Sequence, residues 1–324
     1  MTETKKKRKK ASVAKEPAKA KKAATPANGA SDNGSVRLDV AKTYKLYIGG
    51  AFVRSERGRY LTQRDAQGNF VANYTHATRK DFRNAMVKAR KAQAGWSKRS
   101  AFNRSQILYR MAEMLEDRRL VFEEKLQSHA GYDAATASKE VEASIDRLFW
   151  YAGWADKYIQ VVSSVNPIAA PFFNFSLPEP TGIVAVFSSQ TSPLLGLISG
   201  IAPVILSGNA CITIVENNAP TIAVDFAEVL ATSDVPGGVV NILTGERGEL
   251  ISYVSEHMDL NAIAVFGGSD EQRRNIQLGG VENLKRVKLF DDPDAEGWYD
   301  DSQQSLYWIT PFIETKTAWH PIGV

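Results

Sequence analysis

Apolar and polar positions alternate in a regular order through the second half of the chain, between Thr181 and Phe290. Five short apolar runs are separated by stretches in which apolar residues recur at the spacing of a helix face. Continuous apolar runs of roughly four to eight residues indicate buried strands, and helices between them imply that the strands are parallel. The pattern predicts an α/β fold, a Rossmann-like parallel sheet with helices on both faces.

The elements predicted in this region alternate strictly. The strands are expected over 182–187, 210–215, 238–243, 262–266 and 285–290. The helices are expected over 193–206, 221–230, 249–257 and 270–278. The Gly-x-Gly-x-x-Gly fingerprint of dinucleotide-binding sheets is missing, so spacing alone leaves the ligand of this sheet unidentified.

The first half of the chain predicts helices and β-arms that precede the sheet. A Gly-Gly turn at Gly49 joins two short strands, and an apolar segment over 167–176 suits a hairpin arm that ends before Pro178. Three helices are expected, from near Thr78, over about 104–127 and over about 135–159. The third carries an aromatic stripe that we interpret as core: Phe149, Trp150, Tyr151, Trp154 and Tyr158.

Charge is divided unevenly along the chain. The first 22 residues hold ten Lys or Arg against two acids, whereas the rest hold 30 bases against 34 acids. Residues 1–37 are therefore predicted to be a disordered basic tail on a mildly acidic body. Residues 1–22 either bind nucleic acid or another polyanion, or serve only as a solubilising extension.

Few residues offer metal or thiol chemistry. The four histidines show no metal-ligand spacing, so we expect no metal site. The single cysteine, Cys211, lies within a strand expected to be buried, and we interpret it as an inert core thiol. No apolar run reaches the roughly 18 residues of a membrane span, and no signal-peptide pattern follows the basic residues. We therefore expect a cytoplasmic protein.

Five segments occur in an order and at spacings that resemble the cofactor-binding half of the aldehyde dehydrogenase superfamily. They are 151–157, 179–184, 207–209, 236–245 and 284–287. The resemblance runs from about residue 44 to 289 and implies an aldehyde-dehydrogenase-like NAD-binding domain over 38–290. In that family a cysteine thiolate attacks the aldehyde, hydride passes to NAD(P), and a glutamate activates the water that hydrolyses the thioester.

The residues that carry this chemistry in the family are replaced here. The oxyanion asparagine falls on Thr191, the ribose-binding lysine and glutamate fall on Ile214 and Asn217, and the general base falls on Phe290. The 34 residues beyond Phe290 hold no cysteine nucleophile, so we expect no catalytic residues and leave open whether the chain is an enzyme. Losing the two charged ribose ligands removes hydrogen bonds worth roughly 1.5–3 kcal/mol each. We expect no cofactor, or at most weak NAD(P) binding.

Three candidate cofactor-binding residues remain, Gly245, Gly268 and Ser269. The family's loop that presents a helix N-terminus to the pyrophosphate appears over 266–273, with Gly268 and Ser269 kept. Asp270 and Glu271 follow at once and would repel a phosphate. Ser269 therefore either meets an anion or only caps the helix that follows it.

The last residues resemble a different part of the family. Residues 306–324 match its C-terminal oligomerisation strand, and 291–305 reads as an acidic linker in place of the catalytic-cysteine domain. The resemblance favours a catalytically deficient scaffold or regulatory subunit, in a homo-oligomer or a hetero-oligomer with a full-length aldehyde dehydrogenase. The alternatives are an NAD(P)-dependent oxidoreductase acting on aldehyde or oxo groups, and a polyanion-binding protein acting through its basic tail.

Overall fold

The computed structural model of the chain describes residues 42–65 and 67–322, so the predicted basic tail lies outside the described residues. Five short strands come first: β1 (Thr43–Tyr44), β2 (Leu46–Ile48), β3 (Ala51–Val53), β4 (Tyr60–Arg64) and β5 (Phe70–Thr75). Five helices follow: α1 (Arg79–Trp96), α2 (Ala101–Asp117), α3 (Arg119–Ala130), α4 (Ala134–Trp154) and α5 (Lys157–Val162). They lead to β6 (Ser164–Asn166) and β7 (Phe172–Pro180).

Strands and helices then alternate as predicted. The strands are β8 (Ile183–Phe187), β9 (Ala210–Val215), β10 (Val240–Thr244), β11 (Ala262–Phe266) and β12 (Arg286–Phe290). The helices between them are α6 (Leu195–Leu206), α7 (Pro220–Thr232), α8 (Ile251–Ser255) and α9 (Asp270–Gly279). Four short 3₁₀ turns connect β12 to the last strand, β13 (Ile313–Pro321).

The central sheet has seven strands in the order β12-β11-β8-β9-β10-β2-β3. The first five are parallel, and β2 and β3 add an antiparallel hairpin at one edge. Side chains of α2, α4, α6 and α7 pack in a core on one face, and those of α1, α8 and α9 pack in a core on the other. The predicted α/β class, with helices on both faces of a parallel sheet, is confirmed.

Two of the predicted helices are each divided in two. The helix expected over 104–127 breaks at Arg118 between α2 and α3, and the one expected over 135–159 ends at Trp154 before α5 begins. The aromatic stripe lies mainly in the core, since Tyr151 and Tyr158 are buried whereas Phe149 is exposed. Among the described residues, no helix combines the length and the hydropathy that a membrane span requires.

A second, three-stranded sheet has the order β13-β7-β6. The predicted arm is longer than expected, because β7 continues through Pro178 to Pro180 and pairs with β13 along its whole length. β6 reaches only Ser176, so the prolines lie where β7 has a partner strand on one side. The segment expected to be an acidic linker, 291–305, folds against the main sheet and buries Trp298 completely.

Candidate functional site

The strand order reverses between β8 and β11, which creates a crevice at their carboxyl ends. The sheet grows from β8 through β9 to β10 on one side and through β11 to β12 on the other. Ser188 follows β8 directly, and Gly267 follows β11. Open α/β sheets bind their ligands at such a switch point, because the connections leave in opposite directions there. This crevice is therefore the candidate functional site.

Arg247 occupies the crevice. It lies in the turn after β10, and its side chain is 1% exposed. Its Nη1 donates to the Phe266 carbonyl at 3.1 Å, and its Nη2 donates to the Ser188 carbonyl at 2.8 Å. The guanidinium thus bridges the carboxyl ends of β8 and β11, the two strands between which a ligand would enter.

Glu216 holds Arg247 in this position. The Nε of Arg247 lies 3.1 Å from Glu216 Oε2, an ion pair without hydrogen-bond alignment, and the same oxygen accepts the Arg247 backbone N–H at 3.0 Å. Burial lowers the pKa of Arg247, while the charges of Glu216 and Asp292 oppose that shift. A buried guanidinium needs such partners, since an unpaired buried charge is costly.

Asp292 closes the crevice from the β12 side. Its carboxylate accepts hydrogen bonds from Ser189 Oγ at 2.6 Å and from the Gln190 backbone N–H at 2.8 Å. It also lies against Gly267, where a Cβ atom would approach Asp292 Oδ2 to 2.8 Å. Glycine at 267 thus leaves room for the carboxylate, which ties the loop after β12 to the loop after β8.

The hydroxyl of Thr191 is already engaged. It donates to the Pro293 carbonyl at 2.6 Å, with Asp292 Oδ1 a second acceptor at 3.0 Å, and it accepts from Trp298 Nε1 at 3.0 Å. A hydroxyl has one proton to donate, and this one is used within the protein. The adjacent carboxylate also makes the position unfavourable for an oxyanion.

Phe290 belongs to an aromatic cluster beside the crevice. Its ring stacks on Phe266 with a centroid distance of 4.8 Å and lies 4.7 Å from the ring of Trp308. Trp298 completes the cluster, 5.9 Å from Phe266 and 6.0 Å from Trp308. The 3₁₀ turns after β12 therefore cover the end of the sheet with apolar surface.

The three candidate cofactor residues lie in different surroundings. Ser269 caps α9 in a capping box, because its Oγ accepts the Gln272 N–H and its own N–H donates to Gln272 Oε1. Gly268 borders the crevice, where a Cβ atom would lie 3.6 Å from Arg247 Nη1. Gly245 packs against His76, outside this network.

The single cysteine is remote from this chemistry. Cys211 is fully buried in β9, and its Sγ lies 3.3 Å from Thr213 Oγ1. Burial raises the pKa of the Cys211 thiol to about 12. The thiol therefore stays protonated near neutral pH, and a protonated thiol is a poor nucleophile.

Comparison with known families identifies this arrangement of strands and motifs. The model of the aldehyde dehydrogenase family matches residues 52–290, which is most of the chain. The chain belongs to the aldehyde dehydrogenase family. The resemblance read from the five sequence segments is thereby confirmed.

Two curated relatives illustrate the match. Mitochondrial 10-formyltetrahydrofolate dehydrogenase of Mus musculus is 29% identical over 261 residues, covering 78% of this chain and 28% of that protein. D-glyceraldehyde dehydrogenase (NADP(+)) of Thermoplasma acidophilum is 28% identical over 244 residues, covering 75% of this chain and 49% of that protein. The chain thus spans half or less of these relatives' length.

Solved structures share the fold. The NAD⁺ complex of an aldehyde dehydrogenase from Bacillus cereus aligns with a TM-score of 0.73 at 22% identity, covering 77% of this chain and 51% of that one. A putative aldehyde dehydrogenase from Burkholderia cenocepacia aligns with a TM-score of 0.72 at 25% identity, covering 76% of this chain and 50% of that one. The described residues correspond to about half of an aldehyde dehydrogenase.

Ile214 and Asn217 are the residues that the resemblance places at the family's ribose-binding positions. Ile214 is fully buried in the apolar core between the sheet and α1. Asn217 Oδ1 accepts the Ala219 N–H at 2.9 Å in the loop before α7, whereas its buried Nδ2 has no hydrogen-bond partner among the described residues. Ile214 therefore contributes to core packing, and Asn217 holds the backbone of the loop.

Sequence reasoning missed the two residues that close the crevice. Arg247 is an isolated cation after a strand, and such a residue is normally assigned to the surface. Asp292 follows another aspartate in the sequence, and only the structure distinguishes the two, since Asp291 is exposed and Asp292 accepts a hydrogen bond from Ser189. Of the two residues that close the crevice, only Asp292 could have been proposed from the sequence, because the Asp-Asp-Pro segment directly follows the predicted last strand of the sheet.

Proposed function

We propose that this chain is a noncatalytic member of the aldehyde dehydrogenase family that assembles with itself or with a full-length aldehyde dehydrogenase, as a scaffold or regulatory subunit. The closed crevice carries this proposal. Arg247 bridges the strand ends between which a dinucleotide would lie. Asp292, in the loop after β12, accepts a hydrogen bond from the loop after β8. Opening the crevice would break these hydrogen bonds before any cofactor contact formed.

The chemistry of the neighbouring residues supports the same proposal. Phe290, at the position of the general base, cannot take a proton from water, and Thr191, at the position of the oxyanion donor, is engaged by Pro293 and Trp298. Only 22 residues connect β12 to β13. The resemblance places a catalytic domain of well over a hundred residues between the corresponding strands of an active enzyme.

The second sheet supports assembly. One face of it, the arm face, is formed by Val165, Phe173, Phe175 and Leu177, and three of these are at least 44% exposed. Among the described strands, β13 has a partner on one side only, so its outer edge offers free backbone donors and acceptors. An exposed apolar face beside an open strand edge is suited to contact with another subunit.

A cofactor titration of the full chain tests the noncatalytic part of the proposal. We expect no saturable change in tryptophan fluorescence with NAD or NADP up to about 1 mM, which corresponds to binding weaker than about 4 kcal/mol. Trp298 and Trp308 lie beside the crevice and would report its occupation. Saturable binding in the micromolar range would overturn the proposal.

The same titration decides on the second candidate, an NAD(P)-dependent oxidoreductase. The relatives favour that candidate, since one is an NADP(+)-dependent dehydrogenase by name and one solved structure is an NAD⁺ complex. Such an enzyme would require Arg247 to leave the crevice when the cofactor enters. Micromolar binding together with a slow fluorescence phase from this rearrangement is what the second candidate predicts.

A further inference from the structure

A cluster of three side chains on the other side of the β10 turn takes no part in closing the crevice. His76 follows β5, and Glu246 and Glu249 flank Arg247 in the turn after β10. One ligand atom from each of the three lies within 4.8 Å of the other two. Exposed carboxylates often lie close together without binding an ion. This cluster differs because its third member is a buried histidine.

The imidazole of His76 is buried, and its Nε2 has no hydrogen-bond partner among the described residues. The side chain is 2% exposed, and Nε2 points toward Glu249, 3.6 Å from Oε2. A buried polar atom without a partner costs free energy, and native proteins satisfy nearly all of them. The distance between Nε2 and Oε2 is too long for a hydrogen bond, but it suits two atoms that are both bound to the same third atom.

Gly245 leaves room for this ring. Its φ of 149° lies in the region that favours glycine, and a Cβ atom there would come within 2.6 Å of His76 Cδ2. Gly245 was a candidate cofactor-binding residue in the sequence. In the structure, the absence of a side chain at Gly245 leaves room for the imidazole beside the start of the turn after β10.

Both segments that supply the cluster are fixed. The Ala77 N–H donates to the Thr244 carbonyl at 2.8 Å, and Thr244 Oγ1 donates to the Thr75 carbonyl at 2.6 Å. Glu246 is the N-cap residue of the 3₁₀ turn that Glu249 ends. The backbone therefore holds the three residues of the cluster close together.

The surroundings give the carboxylates orientation and solvent access. Arg59 donates to both oxygens of Glu249, at 2.8 and 2.9 Å, as outer partners orient metal-bound carboxylates. Glu249 lines a cleft of about 610 Å³ that also holds Arg57 and Arg79. Both arginines are exposed, so solvent and salt screen their repulsion of a cation.

We propose that His76, Glu246 and Glu249 bind one divalent transition-metal ion of the class of Zn²⁺. One imidazole nitrogen with two carboxylates is a ligand set that zinc accepts, and three protein ligands leave a fourth position for water from the cleft. The ion gives His76 Nε2 the partner that it lacks. It also ties the turn that carries Arg247 to the segment after β5, and so stabilises the closed crevice.

Zn²⁺ titration of the metal-free full chain against a chromophoric chelator tests the proposal. We expect one equivalent to bind, and His76→Ala and Glu246→Gln to weaken binding by at least about tenfold, one ligand interaction of roughly 1.4 kcal/mol. His320→Ala, which removes an exposed histidine on β13, is the matched control and leaves binding unchanged. No saturable binding, or equal binding by wild type and Glu246→Gln, overturns the proposal.

Thermal unfolding gives a second measurement that does not depend on the buried His76 variant. Zn²⁺ at about 100 times its Kd raises the Tm of the wild type by roughly 4 °C or more, and raises that of Glu246→Gln far less at the same concentration. Glu246 is exposed, so its replacement leaves the metal-free Tm unchanged. An equal rise in both proteins would place the metal elsewhere, and no rise in the wild type would mean that these side chains bind no ion. Either result overturns the proposal.

Discussion

At the scale of single residues, Arg247 donates hydrogen bonds to two buried carbonyl groups that would otherwise bind water or a ligand. Ser188 directly follows β8 and Phe266 ends β11, and without Arg247 their carbonyl oxygens would lack these donors. Glu216 would in turn lose the cation that lies beside its carboxylate. One side chain thus links the closure of the crevice to the stability of the sheet.

We predict that Arg247→Ala lowers the free energy of unfolding by about 3–5 kcal/mol, because the carbonyls of Ser188 and Phe266 each lose a hydrogen bond from a charged donor, worth roughly 1.5–3 kcal/mol. Glu216 is 35% exposed, so the loss of its cation adds little. Urea denaturation followed by tryptophan fluorescence measures the loss. Arg274→Ala, on the exposed side of α9, is the control and changes stability by less than about 0.5 kcal/mol. Similar losses in the two variants would mean that Arg247 does not hold the crevice closed.

Lys285 gives a prediction about pH. It is 8% exposed, its Nζ donates to the Ser255 carbonyl at 2.8 Å, and burial lowers its pKa to about 8. The unfolded pKa is about 10.4, so between these values the unfolded state binds more protons and stability rises with pH. Below about pH 8 the contribution of Lys285 to stability is at its least favourable, and it stays constant there.

Lys285→Met removes this titration. The unfolding free energy of the wild type relative to this variant should rise by on the order of 2 kcal/mol from pH 8 to pH 10. Denaturant unfolding at several pH values measures the difference, with the exposed Lys288→Met as the control on the neighbouring strand. A difference between wild type and Lys285→Met that does not change with pH would contradict the assignment.

Residue roles were predictable only where the local pattern determines them. Cys211 was interpreted as a core thiol because it lies in a continuous apolar strand, and it is buried. The cap formed by Ser269 was one of two alternatives, because a serine before a helix has a known local role. Arg247 and His76 act through partners far away in sequence, and no local pattern indicates such partners.

At the scale of elements, hydrophobic periodicity located the alternating strands and helices to within a few residues. It failed for β4 and β5, which are short and mix polar with apolar residues, so that no apolar run marks them. It also failed over 291–305, where acidic residues and turns predicted a linker. Trp298 in this region and Trp308 just after it enter the core from 3₁₀ turns, which are too short to show a period.

We predict that this segment contributes to folding as core. Trp298→Ala should lower the free energy of unfolding by about 3–5 kcal/mol, the usual cost of removing a buried large aromatic side chain. Tyr307→Ala, at 81% exposure in the 3₁₀ turn just after this segment, should cost less than about 0.5 kcal/mol. Chemical denaturation followed by circular dichroism compares the two. If both variants unfold like the wild type, the segment is a linker after all.

At the scale of the whole molecule, the two sheets have opposite relations to solvent. The main sheet is covered by helices on both faces, and its crevice is filled by Arg247 and Asp292. The second sheet leaves the arm face exposed. Fold and family were predictable from sequence because many local signals agree. The use of each surface was not, because it depends on which side chains meet across the fold.

Assembly through the arm face leads to a prediction for the full chain in solution. Burial of Phe173 and Leu177, each 44% exposed, would stabilise an oligomer by roughly 1 kcal/mol per side chain. The double variant Phe173→Glu/Leu177→Glu should therefore shift an oligomer toward monomer by at least about a hundredfold in Kd, since each charge must leave water. Light scattering after size-exclusion chromatography measures the mass. Leu120→Glu, at 77% exposure on α3, is the matched control and keeps the wild-type mass.

Because the partner can be a full-length aldehyde dehydrogenase, the arm-face double variant and the Leu120→Glu control are also compared in co-expression with one. A wild-type chain that is monomeric alone and captures no dehydrogenase, or arm and control variants that behave alike, would show that the arm face does not mediate assembly.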